Sequence, residues 1–130
     1  MPEVGIIHQG LKTIVIDDDI DVRDLFVELL QMNNVNVVGT GTNGKEALDL
    51  YIAHKPELVF MDYLMPDFDG IWGAEKIREL NPHAKIVLIS GSYFEDGKLD
   101  NVVSAVLKKP IEMSDVISTV NKMIQTLNAK

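Results

Sequence analysis

Short apolar runs alternate with amphipathic helical periods along most of the chain. Five runs have the length of strands and are rich in branched apolar residues: residues 13–16, 35–38, 58–61, 86–89 and 105–107. Three of them are continuously apolar, which is typical of parallel strands buried on both faces. Helical periods lie between the runs, as the crossovers of a parallel sheet require. The pattern predicts a single α/β domain that begins near Thr13.

Four helical periods are supported by apolar stripes or by start and stop signals. The two broadest stripes are Val22, Leu25, Phe26, Leu29 and Leu30 in the first helix, and Val116, Ile117, Val120, Met123, Ile124 and Leu127 in the last. The second helix opens at Asn43 with Glu46 three residues later, a capping-box pattern, and Pro56 stops it. Asp69 is a suitable N-cap for the third helix, which ends before residues 81–82, Asn-Pro.

The segment between the fourth and fifth strands is the least helical of the crossovers. It offers only Leu99, Val102 and Val103 as apolar anchors, and Gly91 and Gly97 interrupt it. Right-handed crossovers leave few topologies for five βα units. We therefore predict a flavodoxin-like, doubly wound sheet of five parallel strands in the order 2-1-3-4-5, with about five helices, the fourth short or irregular.

Chemically active side chains follow the predicted strands at one edge of this sheet. The first strand is followed by Asp17, Asp18 and Asp19, the third by Asp62, the fourth by Ser90 and the fifth by Lys108 and Lys109. Carboxylates that converge in this way repel one another, and a hard divalent cation such as Mg²⁺ relieves the repulsion. Taken singly, each Asp could be a helix cap and each Lys a solvated surface residue. Together they suffice for phosphoryl transfer to a carboxylate.

Two sequence motifs make this interpretation specific. Residues 15–23 read VIDDDIDVR, and residues 62–70 read DYLMPDFDG, which matches the pattern D-x-x-M-P-x-x-D-G. The chain resembles the receiver domains of response regulators in two-component signalling, with matched motifs spread from Thr13 to Leu127. The resemblance implies a receiver domain over residues 13–130. Residues 1–12 show no clean period and carry Pro2, Gly5 and Gly10, so we predict a flexible N-terminal extension there.

The resemblance also implies a role for each site residue. Asp62 is expected to be the phosphoacceptor, Asp18 to bind Mg²⁺ directly, Asp17 to assist through water, and the backbone carbonyl of Leu64 to supply another oxygen. The phosphoryl group would come from a sensor histidine kinase or a phosphotransfer protein. A downstream protein effector would read the result.

Two further positions match the family on the other side of the site. Ser90 stands at the Ser/Thr switch position. Lys109, followed by Pro110, matches the Lys-Pro pair whose amine contacts the phosphoryl group and whose peptide bond is commonly cis. Lys108 is then expected to point elsewhere.

The chain departs from the family pattern between the fourth strand and Lys109. Fewer residues than usual separate Ser90 from Lys109, and Val106 stands where the family often has an inward-turning Tyr or Phe. We hypothesise that the output surface works differently here or that activation is read elsewhere. Tyr93 and Phe94, just after the switch position, are candidates to replace the missing ring.

Two other functions remain open at this stage. Asp17-x-Asp19 at the end of a first strand is similar to haloacid-dehalogenase-like phosphatases, which also form an aspartyl phosphate, although Asp21 replaces their expected Thr or Val. The second open function is that of a degenerate receiver, which would act only as a binding module. Residues 39–44 spell G-x-G-x-x-G, but they follow the second strand rather than the first, so we reject dinucleotide binding.

The amino-acid composition limits which binding partners and which cellular location we expect for this protein. A net charge of −8 argues against direct binding of nucleic acid. No apolar run approaches the length that spans a bilayer, and no secretory leader is indicated. The chain has no cysteine, which excludes thiol chemistry and favours a cytoplasmic protein.

Overall fold

The computed structural model describes residues 10–95 and 97–128, with side chains described through residue 125. Its five strands are all parallel: β1 Leu11–Ile16, β2 Val35–Gly41, β3 Leu58–Asp62, β4 Ile86–Ser90 and β5 Ala105–Lys108. They form one sheet in the order β2-β1-β3-β4-β5. The predicted α/β class and strand order are confirmed.

The first strand begins two residues earlier than predicted. Leu11 pairs with Val35 and is buried, and the backbone N–H of Lys12 donates to Glu57 Oε1 at 3.0 Å. These two residues therefore belong to the sheet rather than to the extension predicted over residues 1–12. Residues 1–9 of that predicted extension lie outside the described residues.

The described residues contain four helices: α1 Ile20–Met32, α2 Gly44–His54, α3 Gly70–Leu80 and α4 Met113–Asn128. The predicted caps of α2 and α3 are confirmed, because Asn43 and Asp69 each accept a hydrogen bond from the backbone N–H three residues later. The expected capping box differs in one bond. Glu46 Oε1 accepts from the backbone N–H and the hydroxyl of Thr42 instead of from Asn43.

Helices cover both faces of the sheet and form two apolar cores. On one face α1 and α4 pack Phe26, Leu30 and Val120 against β-strand residues. On the other face α2 and α3 contribute Ala47 and Ile77. Burial of this kind, at about 25 cal/mol per Å² of apolar surface, is the main driving force for folding.

The predicted apolar stripe of α1 is only partly buried. Val22 and Leu25 are exposed and Leu29 is half-buried, whereas Phe26 and Leu30 are buried in the core. The first turns of α1 lie beside Pro110 and Met113, with which Val22 and Leu25 line an open apolar groove. Periodicity identified the face of the helix correctly, but the sheet does not extend far enough to cover its N-terminal part.

Turns replace a helix between β4 and β5. In the described residues of this segment, positions 97–102 are held by short-range bonds such as Val102 N–H to the Leu99 carbonyl at 2.9 Å. The prediction of a short or irregular fourth helix is confirmed in its irregular form. The apolar side chains of Leu99 and Val103 still pack onto the α2–α3 face of the sheet.

The guanidinium group of Arg78 fixes this segment to α3. Its Nε and Nη2 atoms donate to the Val102 carbonyl at 3.2 and 3.0 Å, and Nη1 donates to the carbonyls of Pro82 at 3.0 Å and Ala84 at 2.6 Å. Burial lowers the pKa of Arg78. One side chain thus satisfies three backbone carbonyls, one at the end of this segment and two in the loop between α3 and β4.

We expect Arg78→Met to lower the free energy of unfolding by about 2–3 kcal/mol, because it leaves partly buried carbonyls without donors. Urea denaturation followed by far-UV circular dichroism would measure this. Lys76→Met is the matched control: it lies on the same helix, loses the same charge and gains the same side chain. Its ion pair with Glu79, at 3.9 Å, is exposed, so its loss should cost under about 1 kcal/mol. Equal losses in the two variants would contradict the assigned role of Arg78.

Candidate functional site

Three carboxylates meet at the carboxyl edge of the sheet. Asp17 and Asp18 directly follow β1, and Asp62 is the last residue of β3, the strand next to β1. One carboxylate oxygen from each of the three lies within 4.8 Å of the other two. The parallel sheet itself causes this convergence, because its strands all end at the same edge.

Two of the three carboxylates are almost completely buried. Asp17 is 7% exposed and Asp62 is 4% exposed, whereas Asp18 is open to solvent. Asp17 Oδ1 accepts the backbone N–H of Asp19 at 2.9 Å. Burial raises the pKa of Asp17, and the negative charges of Asp62 and Asp18 add to this, while the Asp19 N–H and the Lys109 charge oppose it.

Lys109 supplies the positive charge in this cluster. Its Nζ atom lies 2.7 Å from Asp62 Oδ1. Burial by itself would lower the pKa of Lys109, but the hydrogen bond and charge of Asp62, together with the charges of Asp17 and Asp18, raise it. The Lys109-Pro110 peptide is cis. The neighbouring Lys108 is exposed and lines a separate cleft, so only the second lysine of the pair meets Asp62.

Ser90 ends β4 beside these groups and is buried. Its Oγ atom accepts the backbone N–H of Ser92 at 2.8 Å, and its carbonyl accepts the backbone N–H of Lys109 at 3.0 Å. Among the hydrogen bonds of the described residues, none joins the Ser90 hydroxyl to Asp62. Ser90 therefore lies next to the carboxylate cluster, and its hydroxyl group is hydrogen-bonded to the loop that follows β4.

The loop after Asp62 is held by backbone bonds at both of its ends. The N–H of Gly70 donates to the Tyr63 carbonyl at 2.8 Å, and the N–H of Gly44 donates to the Phe68 carbonyl at 2.7 Å. Leu64 lies in this loop with its side chain exposed. Its proposed part in the site concerns its carbonyl oxygen, which remains a prediction.

Gly70 is a supporting residue to which the sequence analysis gave no role. A Cβ atom at this position would collide with the backbone carbonyl oxygen of Asp62 and would lie 2.9 Å from Leu88 Cδ1. Only glycine therefore lets α3 begin so close to the end of β3. The available signal was a glycine at the first position of a helix, where its low helix propensity needs a reason.

The structure weakens two of the other interpretations. Asp19, the second member of the phosphatase-like Asp-x-Asp pair, caps α1 by accepting the Val22 N–H at 3.2 Å and is not part of the carboxylate cluster. Gly44, the last glycine of the G-x-G-x-x-G run, gives its N–H to Phe68. That amide is not free to receive a pyrophosphate, as dinucleotide binding would require.

The donor set fits a hard divalent cation. All three clustered groups offer oxygen, and their mutual repulsion is only partly offset by the single ammonium group of Lys109. Mg²⁺ binds through one or two carboxylates and retains several waters, so a half-open cluster with one exposed carboxylate suits it. Softer metals would prefer sulfur or imidazole ligands.

Comparisons with known proteins identify the class of this fold and site. The family described as the response regulator receiver domain matches residues 13–121. The chain belongs to this family.

Individual relatives agree with the family assignment. Chemotaxis protein CheY of Thermotoga maritima is 30% identical over 121 residues, which cover 88% of this chain and 98% of CheY. CheY of Bacillus subtilis is 28% identical over 87% of this chain and 97% of its own length. The crystal structure of response regulator TrrA from Thermotoga maritima, in complex with Mg²⁺-BeF, has a TM-score of 0.80 at 28% identity and covers 88% of this chain and 99% of TrrA. Within the described residues, no helix combines the length and apolar character needed to cross a membrane.

We expect Asp17→Asn to raise the stability of the metal-free protein at neutral pH. Because the pKa of Asp17 is raised on folding, the native state binds its proton more tightly, and the wild type loses stability as pH rises from 3.8 through that raised pKa. The Asn variant removes this loss and keeps an oxygen that can accept the Asp19 N–H. Its advantage should appear above pH 4 and disappear below it.

Urea unfolding across pH 3–8 checks this, with and without Mg²⁺. The variant should also lose most of the stabilisation that Mg²⁺ gives the wild type. Asp67→Asn is the control, since Asp67 is exposed and lies outside the cluster. A pH-independent difference between wild type and Asp17→Asn would contradict the prediction.

Proposed function

We propose that this receiver domain accepts one phosphoryl group on Asp62 with the help of Mg²⁺, and that the phosphorylated form changes its contacts with a protein effector. The observation that carries the proposal is the setting of Asp62. Its carboxylate is buried at the sheet edge, within 4.8 Å of the Asp17 and Asp18 carboxylates and 2.7 Å from the ammonium of Lys109.

In the transfer step, a carboxylate oxygen of Asp62 attacks the phosphorus atom of the donor. A P–O bond forms, and the P–N bond of a phosphohistidine or the P–O bond of an acyl phosphate breaks, with the electron pair leaving on the donor. Lys109 is placed to balance charge on the transferring oxygens once its contact with Asp62 Oδ1 is given up. Ser90, at the adjacent strand end, can donate its hydroxyl proton to a phosphoryl oxygen.

Asp17, Asp18, Asp62 and the carbonyl of Leu64 would hold the cation. When bound, Mg²⁺ supplies positive charge against the phosphoryl oxygens and the clustered carboxylates. A crystal structure of TrrA, a receiver relative of similar fold, is in complex with Mg²⁺-BeF, which supports Mg²⁺ binding here. Burial of Asp17 and Asp62 strengthens these electrostatic interactions relative to those in water.

We propose a signalling role rather than catalytic turnover. The donor would be a sensor histidine kinase or a phosphotransfer protein, and the effector another protein. The chain carries a net charge of −8, which supports protein rather than nucleic-acid partners. It contains no cysteine, which suits a reducing compartment, and we place it in the cytoplasm.

Intact-mass measurement after incubation with acetyl phosphate and Mg²⁺ tests the acceptor. We expect one phosphoryl adduct on the wild type, none without Mg²⁺, and none on Asp62→Asn. Asp67→Asn, in the same loop, should still take up one group. An unmodified wild type would favour the degenerate receiver, and repeated release of phosphate from an ester substrate would favour the phosphatase.

The lysine pair offers a second test with a built-in control. Lys109→Gln should slow phosphoryl uptake from acetyl phosphate on the order of 10²-fold, since it removes a charge aimed at the transferring group. Lys108→Gln should change the rate by less than about twofold, because its side chain is exposed and solvated. Rates come from time courses of the adduct mass. Equal slowing in both variants would show that overall charge, not contact with Asp62, is responsible.

A further inference from the structure

An open cleft of about 250 Å³ lies over β5 because turns, not a helix, follow β4. Ala105 and Leu107 pack into the core beneath α1 and α4, so the alternate residue Val106 faces the opposite side of the sheet. It is 43% exposed there and lines the cleft together with Phe94 and Val103. We call this space the β5 cleft.

The rim of the β5 cleft carries two adjacent aromatic residues in different environments. Phe94 is half-buried, and its ring packs edge-on against the ring of Tyr63 with centroids 5.2 Å apart. Tyr93 is 77% exposed. Since Tyr63 directly follows Asp62, the Phe94 ring connects the acceptor loop to the cleft.

The Ser90 hydroxyl is bonded to the loop that carries Phe94. Ser90 Oγ accepts the N–H of Ser92 at 2.8 Å, and this bond shapes the loop that leads to Phe94 two residues later. A rotation of the Ser90 side chain toward Asp62 would withdraw that acceptor. The loop would then lose the bond that sets its first turn.

The opposite wall of the β5 cleft is fixed by several bonds. Arg78 holds the Val102 carbonyl through Nε and Nη2, and the Ser104 hydroxyl accepts the Ile86 N–H at 3.0 Å and lies 3.3 Å from the Ala84 carbonyl. Residues 102–104 are therefore tied to α3 and β4. Among the described residues, the Phe94 side is held by the ring pair with Tyr63, by apolar packing against the α2–α3 face of the sheet and by the Ser90–Ser92 bond, and we expect movement there.

We propose that Phe94 is the ring that reports phosphorylation in this protein. In the unmodified state it packs on Tyr63. When Ser90 turns its hydroxyl to the phosphoryl group, the Ser92 bond breaks, Phe94 leaves Tyr63, and the ring covers Val106 in the β5 cleft. The inference rests on the proposed acceptor role of Asp62, and it places the moving ring on the loop after β4 instead of on β5.

A single thiol at the floor of the cleft can measure this movement. Because the chain contains no cysteine, Val106→Cys introduces one labelling site into it. Beryllofluoride with Mg²⁺ serves as the phosphoryl mimic, and its binding is followed separately by ¹⁹F NMR. We expect the mimic to slow thiol alkylation about fivefold or more, as a shift to a mostly covered state requires.

Two double variants test whether the ring of Phe94 or that of Tyr93 slows alkylation of the introduced thiol. With Phe94→Leu added, the mimic should still bind but should leave the alkylation rate within about twofold of the unliganded rate, since a short aliphatic side chain cannot cover the thiol. With Tyr93→Leu added, the full slowing should remain. Tyr63→Leu releases Phe94 from its resting contact, so it should slow alkylation before any mimic is added.

The outcomes separate this inference from the proposed function. If beryllofluoride fails to bind the Val106→Cys protein and the wild type, the acceptor role fails and this inference fails with it. If the mimic binds but leaves the alkylation rate unchanged, the inference that Phe94 moves over Val106 is overturned, while the acceptor role stands. The same holds if the slowing of alkylation persists in the variant with Phe94→Leu. Loss of the slowing in Tyr93→Leu alone would also overturn it, by assigning the movement to Tyr93.

Discussion

The ammonium group of Lys109 lies 2.7 Å from Asp62 Oδ1, where it offsets part of the charge of three carboxylates gathered at one edge of the sheet. Asp17 and Asp62 are nearly excluded from water, so their repulsion is stronger than it would be at the surface. Burial, together with the charges of Asp62 and Asp18, raises the pKa of Asp17. A site with three carboxylates and one nearby ammonium group favours both a cation and a phosphoryl group that binds Lys109. The proposed metal-binding and acceptor roles follow from this charge imbalance.

The backbone around the site is built to keep these charges close. β1 and β3 are neighbours in the sheet, which brings Asp17 and Asp62 together without any special loop. Gly70 lets α3 begin directly against the Asp62 carbonyl, and the Gly44 N–H ties α2 to the same loop. Asp62, the proposed acceptor, therefore sits on rigid elements, as a group that must meet a donor in a defined geometry should.

The connection between β4 and β5 differs from the other crossovers of the domain, because turns replace the helix. The Arg78 guanidinium binds the Val102 carbonyl at the end of this segment, and turns in place of a helix leave Val106 on β5 partly uncovered. The fold as a whole is similar to that of TrrA, with a TM-score of 0.80. The irregular segment directly follows Ser90, and surface loops of this kind are where related domains most often differ.

The sequence by itself determined the strand runs, the sheet order, the caps at Asn43 and Asp69, and the set of carboxylates and the lysine at the strand ends. These features depend on local periodicity, on capping over three residues and on motif spacing, all of which can be read along the chain. The tertiary structure decided that Val22 and Leu25 stay exposed, that Arg78 binds three carbonyls, and that Phe94 rather than Tyr93 packs on Tyr63. Each of these depends on how far one element extends over another, and side chains distant in sequence meet only after the sheet has ordered them in space.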